Sequence, residues 1–261
     1  MSERGYPGAR VRFETDAAPP STGFRSQALA AGGVLFTGGQ IGAPYTRGSE
    51  LRALAATFEG QVDAALEHLA AVTWAAGDAL ERVVELSAFT TVDDGERIVR
   101  ERARAFLGFD PPLVNHVRVA DCAMHGDVEL DWCVARAGTD AAAATDAIRP
   151  FMHGPEGEVI ASGPFLVLNG VDAPGADMAA QTEALIDRAL ALLGERGAVL
   201  QDLTKLTVYI QAFDIYPAFN DVTTRRFGAI IPPTRSVIVA PDVTGDALVR
   251  VDVLATAPVA S

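Results

Sequence analysis

Gln61–Thr90 reads QVDAALEHLAAVTWAAGDALERVVELSAFT, and Gln181–Ile210 reads QTEALIDRALALLGERGAVLQDLTKLTVYI. The two stretches align without a gap at a constant offset of 120 residues: Gln61 on Gln181, Gly77 on Gly197, Leu80 on Leu200, Leu86 on Leu206 and Phe89 on Tyr209. That period is too long for a solenoid or a propeller blade. It marks a small domain present twice, and the rest of the chain can be read outward from it.

In each stretch apolar residues first recur at helical spacing and then alternate as in a strand. Around the first, Arg10–Thr15 alternates as a strand, and Ala28–Gln40 holds two apolar runs split by Gly32–Gly33, a hairpin signal. A long amphipathic helix is expected over Glu50–Ala76, with Leu54, Phe58, Val62, Leu66, Leu69 and Val72 on one face, then a strand over Arg82–Thr91. Asp93 or Asp94 can cap a second helix running to about Phe106, which Pro111–Pro112 ends. Strands follow near Val114–Ala120 and Val128–Ala135. The order recurs in the second half: strands near Glu158–Ala161 and Phe165–Asn169, a helix over Asp177–Arg196, a strand Leu203–Gln211, a helix Tyr216–Phe227, and strands Ser236–Ala240 and Leu248–Thr256. The expectation is an α+β protein of two β-β-β-α-β-α-β-β domains, each with helices packed on one face of a mixed sheet. Domain 1 takes 1–138 and domain 2 takes 148–261. The alanine-rich 139–147, poor in core residues, reads as a linker. Such a sheet leaves its other face to be covered, and oligomerisation is a cheap way to cover it.

The composition narrows the function classes. A chain of 261 residues suits two domains of this size. Hydrophobic content of 49% and mean hydropathy of +0.19 predict extensive burial between copies and between chains. No apolar run reaches the roughly 20 residues of a membrane span, and the N-terminal MSERGYPGARVRF lacks a signal-peptide core, so a cytoplasmic location and no membrane partner are expected. Cys122 and Cys133 fit core packing in a reducing compartment rather than a disulfide framework. A net charge of −13 and the lack of a Lys/Arg cluster argue against nucleic acid. Arg97, Arg100, Arg102 and Arg104 alternate with acids and read as a solvated helix face. Trp74 and Trp132 read as packing residues, and at least two of Asp121, Asp127 and Asp131 as solvated. No nucleotide, flavin or metal motif is present, so no cofactor is implied: Gly38–Gly39 lacks the lysine and hydroxyl of a phosphate loop, and His116, His125, Glu129 and Asp131 lack compact ligand spacing.

Five short motifs in order carry a resemblance. GFRSQA at Gly23–Ala28 resembles GPYSQA, LFTGGQI at Leu35–Ile41 resembles LFVSGQI, and VELDWCVA at Val128–Ala135 resembles VEIEAIA. In the second copy PPTRS at Pro232–Ser236 resembles PPARS, and VRVDVLA at Val249–Ala255 resembles the terminal strand. The source of these patterns is the RidA/YjgF family of reactive-intermediate deaminases, which the chain resembles over nearly its whole length, once per copy. The resemblance implies trimeric rings with clefts between subunits and hydrolysis of imines or enamines to keto acids and ammonia. It implies an arginine in PPARS that binds a substrate carboxylate, and a glutamate in the terminal strand that directs water or a proton. A planar guanidinium grips a carboxylate bidentately, and water attack on an imine needs proton transfer by a positioned carboxyl group.

Mapped onto this chain, neither copy holds the full set. Copy two keeps the arginine as Arg235 but has Arg250 at the glutamate position. Copy one keeps the glutamate as Glu129 but reads PPLVN, with Val114 or Asn115 at the arginine position. The tyrosine position of the first loop is Arg25. The serine-glycine pair of the SGQ motif is Gly38–Gly39 in copy one and Asn169–Gly170 in copy two. Three readings stay open: both sites have lost the chemistry, Arg235 and Glu129 form one composite site across unlike copies, or copy one has a rebuilt site with Arg25, His116, His125 and Glu129. The resemblance thus implies Glu129 and Arg235 as catalytic residues and Arg25, Gly38, Gly39, His116, Asn169, Gly170, Ser236 and Val237 as substrate-binding positions. The implied partners are a small carboxylate-bearing metabolite and further copies of the chain. Three two-domain chains would supply two rings, a pseudo-hexamer.

Overall fold

The computed structural model describes residues 10–21, 23–46 and 53–258. Copy one contributes β1 (Val11–Phe13), β2 (Ala28–Ala31), β3 (Val34–Thr37), β4 (Gln40–Ile41), α1 (Phe58–Ala75), β5 (Val83–Thr90), α2 (Gly95–Leu107), β6 (Leu113–Arg118) and β7 (Val128–Ala135). After α3 (Ala141–Ile148), copy two contributes β8 (Val159–Ser162), β9 (Phe165–Val171), α4 (Met178–Gly194), β10 (Leu203–Ile210), α5 (Tyr216–Phe227), β11 (Thr234–Val239), α6 (Pro241–Thr244) and β12 (Val249–Thr256). The fold is α+β with one mixed sheet per copy.

The first sheet runs β1-β2-β3-β7-β5-β6, with β4 also on β7. The second runs β11-β10-β12-β9-β8. In each, the strand before and the strand after the second helix are parallel (β5 with β6, β10 with β11), and the last strand inserts antiparallel beside the first of that pair. A parallel neighbour needs a crossover, which α2 and α5 supply. Val62, Leu66, Leu69 and Val72 of α1 enter the first core with Leu86, Leu130 and Trp132. Leu185, Ile186, Ala189 and Leu193 of α4 enter the second with Leu206, Phe219 and Val253. Each such side chain, fully buried, stabilises by about 1.5–3 kcal/mol.

The invariant pairs of the repeat have structural jobs. Gln61 accepts from the Asp127 N–H at 2.9 Å and Gln181 accepts from the Leu248 N–H at 2.8 Å, so each holds the approach to its copy's last strand. Gly77 and Gly197 sit just past α1 and α4 at φ +77° and +80°, where the chain turns into the left-handed region that any Cβ disfavours.

Several expectations need correction. The helix expected from Glu50 starts at Phe58, capped by the Thr57 side chain, which accepts from the Gly60 N–H. Leu54 precedes it, and Glu50–Arg52 lie outside the described residues, as does most of the N-terminal stretch. Copy two has two strands before its first long helix rather than three. The segment read as a linker is helix α3, capped by Asp140, with Ala144, Ala147 and Ile148 buried. Its alanines look poor in core-forming power, yet their small size lets the helix lie close between two sheets. There it packs with Val34, Phe36 and Cys133 of copy one and Phe165, Val167 and Leu254 of copy two. The Phe36 and Phe165 rings meet edge to face at 5.4 Å. The helix-free sheet faces are therefore covered in part within one chain. Trp74 is 60% exposed near the end of α1, whereas Trp132 is buried and donates from its indole N–H to Thr73 Oγ1 at 2.9 Å. Cys122 and Cys133 are buried free thiols. No helix among the described residues is long and apolar enough to cross a membrane.

Candidate active site between the two copies

Pro232–Pro233 deliver β11 of copy two to the edge of copy one, and the first loop of copy one closes on it. The Ser26 N–H donates to Pro233 O at 3.1 Å, the Ser26 hydroxyl donates to Pro232 O at 2.6 Å, and the Gly39 N–H donates to Arg235 O at 3.1 Å. The motifs GFRSQA, GGQ and PPTRS, more than 190 residues apart at their extremes, thus form one backbone seam.

Arg235 is 2% exposed. Its guanidinium lies over the rings of Tyr216 and Phe219, 5.5 Å from each centroid. One terminal nitrogen donates to Tyr216 Oη at 2.5 Å and to Asn220 Oδ1 at 2.8 Å. These three partners sit at i, i+3 and i+4 on α5 and share one face. The Arg235 Nε is buried without a partner. Burial lowers its pKa to about 10, with Arg25 also opposing the charge while Tyr216 and Glu129 favour it.

Glu129, near the start of β7, is 2% exposed and accepts the Val237 N–H at 3.1 Å. The close approach depends on Gly39: a Cβ there would fall 1.9 Å from Glu129 Oε1 and 2.8 Å from Ser236 Oγ. Burial pushes the Glu129 carboxyl up to about 7. Arg25, the Val237 N–H and Arg235 work against that rise, and Asp131 adds to it. A carboxyl held near neutrality can both take and return a proton at physiological pH.

Arg25 stands at the same place. One of its terminal nitrogens lies 3.5 Å from Arg235 O, and its Nε is buried without a partner. Beneath the cleft, Lys205 pairs with Asp131, which also accepts from the Ser236 hydroxyl, and the Lys205 ammonium lies 3.4 Å from Thr37 O. Asp131 is fully buried rather than solvated, because β7 is covered on both faces. Asp121 and Asp127 are half-buried. Burial opposes the Lys205 charge, yet Asp131, Cys133 and Glu85 outweigh it and leave its pKa raised.

The structure brings together Glu129, Arg235, Arg25, Gly38, Gly39, Ser236 and Val237. It leaves His116, Asn169 and Gly170 elsewhere. His116 lies on β6 against Thr90 Oγ1 at 2.8 Å, and burial lowers its pKa. Asn169 accepts from the Met152 N–H and donates to Pro150 O, pinning the segment after α3. The Gly170 N–H donates to Asp252 at 2.7 Å within copy two. His125 is exposed and hydrogen-bonded to Asp121. Strand register decides the arginine counterpart. Leu206 faces Arg235 in β10–β11 and Leu86 faces Val114 in β5–β6, so Val114, not Asn115, holds that position. Likewise Phe89 faces Glu129 and Tyr209 faces Arg250. Sequence reading missed Tyr216, Phe219, Asn220 and Lys205. The i, i+3, i+4 spacing was visible, but nothing in it said that Arg235 would be the group it holds. The small apolar void of about 20 Å³ between α4, α5 and the second sheet, lined by Leu185, Leu206, Phe219 and Val253 among others, belongs to the core and carries no chemistry.

Residues 143–257, copy two almost entire, match the sequence model of the family described as Endoribonuclease L-PSP. Copy two thus matches that family's model, and the chain as a whole is similar to the RidA/YjgF family. A RutC family protein of Pyrococcus abyssi is 30% identical over 79 residues, which are 30% of this chain and 61% of that protein's length. A crystal structure from Thermotoga maritima is 29% identical, covering 50% of this chain and 100% of that one at a TM-score of 0.46. RidA from the Antarctic bacterium Psychrobacter sp. is 28% identical, covering 48% and 99%, at 0.44. Each of these solved chains spans about half of this one.

Proposed function

We propose that this protein hydrolyses a small carboxylate-bearing imine or enamine to a keto acid and ammonia, in the cleft between its two copies. The observation that carries the reading is the convergence of Arg235 from copy two and Glu129 from copy one on one buried seam, each copy supplying what the other lacks. Arg235, held by Tyr216 and Asn220, binds the substrate carboxylate. Glu129 in its ionised form takes a proton from water, whose oxygen attacks the imine carbon while the C=N π pair moves to nitrogen. The carboxyl gives that proton to the nitrogen, and Glu129 then takes the proton of the new hydroxyl and passes it to the same nitrogen. The C–N bond breaks, the C=O bond forms, and ammonia leaves. The balance is imine plus water to ketone plus ammonia.

The net charge of −13 does not fit RNA as a substrate. Assembly of chains into trimer-type rings and a cytoplasmic setting go with the same reading.

The test is ammonia release from 2-iminopropionate or 2-iminobutyrate generated in situ, with wild type, Arg235→Ala and Glu129→Gln in parallel. Glu129→Gln is expected to lower kcat by roughly 10²–10⁴-fold, the range of a general acid–base group, with substrate binding kept. Arg235→Ala is expected to raise KM as well as lower kcat. Loss in both variants supports one composite site. Loss with Glu129→Gln alone moves the grip to Arg25 in copy one, and no turnover by wild type on any imine offered favours a binding protein that reuses the cleft.

A further inference from the structure

We infer that the substrate is a short dicarboxylate, a 2-imino or enamine diacid, with Arg235 gripping one carboxylate and Arg25 the other. The inference rests on the hydrolase reading and deepens it by naming the substrate class.

The argument begins with counting charges. Two guanidinium groups, Arg25 and Arg235, stand at the seam between the copies. Neither has an ion-pair partner among the described residues, and the Nε of each is buried with no hydrogen-bond acceptor. The carboxylate beneath them, Asp131, is already engaged by Lys205 and Ser236. That leaves Glu129 alone, and burial suppresses its charge. Arg25 influences Glu129 more strongly than any other charged residue does, yet the two do not form an ion pair. Arg235 is buried and Arg25 half-buried, and a buried N–H left without an acceptor is costly, so two such Nε–H groups with no carboxylate paired to either call for two anionic groups. A monocarboxylate would satisfy Arg235 and leave the Arg25 Nε buried and orphaned. A diacid satisfies both forks, and its imine carbon then lies between them, beside Glu129.

Arg25 is also where this sequence departs from the tyrosine of the GPYSQA pattern. A phenol offers one neutral donor, whereas a guanidinium offers a charged fork. In a chain of net charge −13, a local excess of positive charge also directs small anions to this one cleft.

The experiment compares 2-iminosuccinate and 2-iminobutyrate, each released in situ by an amino acid oxidase, with wild type, Arg25→Gln and Arg25→Lys. In a second arm, calorimetry measures succinate against butyrate. Wild type is expected to favour the diacid in kcat/KM by roughly tenfold to a hundredfold, the worth of one charged hydrogen-bonded contact. Arg25→Gln should reduce that diacid-to-monoacid ratio about tenfold or more, with Arg25→Lys between the two. Equal use of both imines, or an unchanged ratio in Arg25→Gln, overturns the diacid while leaving the hydrolase reading in place. If neither imine turns over, the hydrolase reading fails and calorimetry decides the inference alone. Succinate binding tighter than butyrate, once per chain and weakened in Arg25→Gln, supports it. No preference overturns it. Thermal unfolding of each variant separates loss of a contact from loss of fold.

Discussion

Asp131 in copy one and Asp252 in copy two occupy the same place in their sheets, two residues beyond Glu129 and Arg250. Asp252 is satisfied at home: Tyr209 Oη donates to it at 2.9 Å and the Gly170 N–H at 2.7 Å. Asp131 has Phe89 where Asp252 has Tyr209, so no hydroxyl reaches it from its own copy. It takes Lys205 and Ser236 from the other copy instead. Gly39, freed of the aspartate that Gly170 binds, donates to Arg235 O. Arg250, in the place of Glu129, closes on Glu156 and on Val243 O. Copy two has thus turned its terminal strand inward, while copy one has turned the same strand toward its neighbour and built a cleft there. The duplication preserved the scaffold, and a handful of side chains decided which copy presents a carboxylate and which an arginine.

This contrast can be broken at matched positions. The largest effect is expected at Lys205, whose counterpart in copy one is Glu85. Lys205→Met leaves Asp131 buried and unpaired and should cost roughly 3–5 kcal/mol in denaturant unfolding. Glu85→Gln removes a carboxyl whose pKa burial has raised, and should cost far less or stabilise at pH 8. Next comes Gly39→Ala. The added methyl must displace Glu129, and turnover should fall about a hundredfold, as a small misplacement of a reacting group allows. Gly170→Ala, where a Cβ would meet Arg250 and φ is +64°, should appear as about 1 kcal/mol of lost stability rather than as lost turnover. A proportionate effect of both on turnover would end the asymmetry proposed here.

The pH dependence sharpens it further. With Glu129 as the proposed base, kcat/KM should rise with pH through about 7, and should fall again above about 10 as Arg235 loses its proton. Stability should run the other way. The folded state binds the Glu129 proton more tightly than the unfolded state does, so the stability this group contributes is present at low pH. It is lost as pH rises from the ordinary carboxylate range to about 7. Glu129→Gln should flatten that part of the stability profile by about 3 kcal/mol, read from unfolding midpoints at a series of pH values. The smallest expected signal is the number of sites. Calorimetry with a carboxylate ligand should give one per chain, and Glu156→Gln should leave it at one, because the Arg250 it releases belongs to copy two and lacks a partner glutamate there.

The duplication, the order of helices and strands after each hairpin, and the complementary loss of arginine and glutamate were all determined by the sequence itself. Helical spacing, strand alternation and turn residues act over a few neighbours, and an aligned repeat exposes them twice. Tertiary structure alone decided the rest. It made the alanine-rich 139–147 stretch a helix between sheets, because whether a small side chain is exposed or tightly packed depends on what faces it. It singled out Asp131 among the three aspartates as the one in a buried pair, with Lys205, because alternation along β7 does not reveal that both faces of the strand are covered. It set Val114 rather than Asn115 opposite Leu86, since strand register is fixed by pairing. And it brought the strands of Arg235 and Glu129 to one seam within one chain, across a separation of 106 residues, because only the docking of one sheet edge on another can bring such distant strands together.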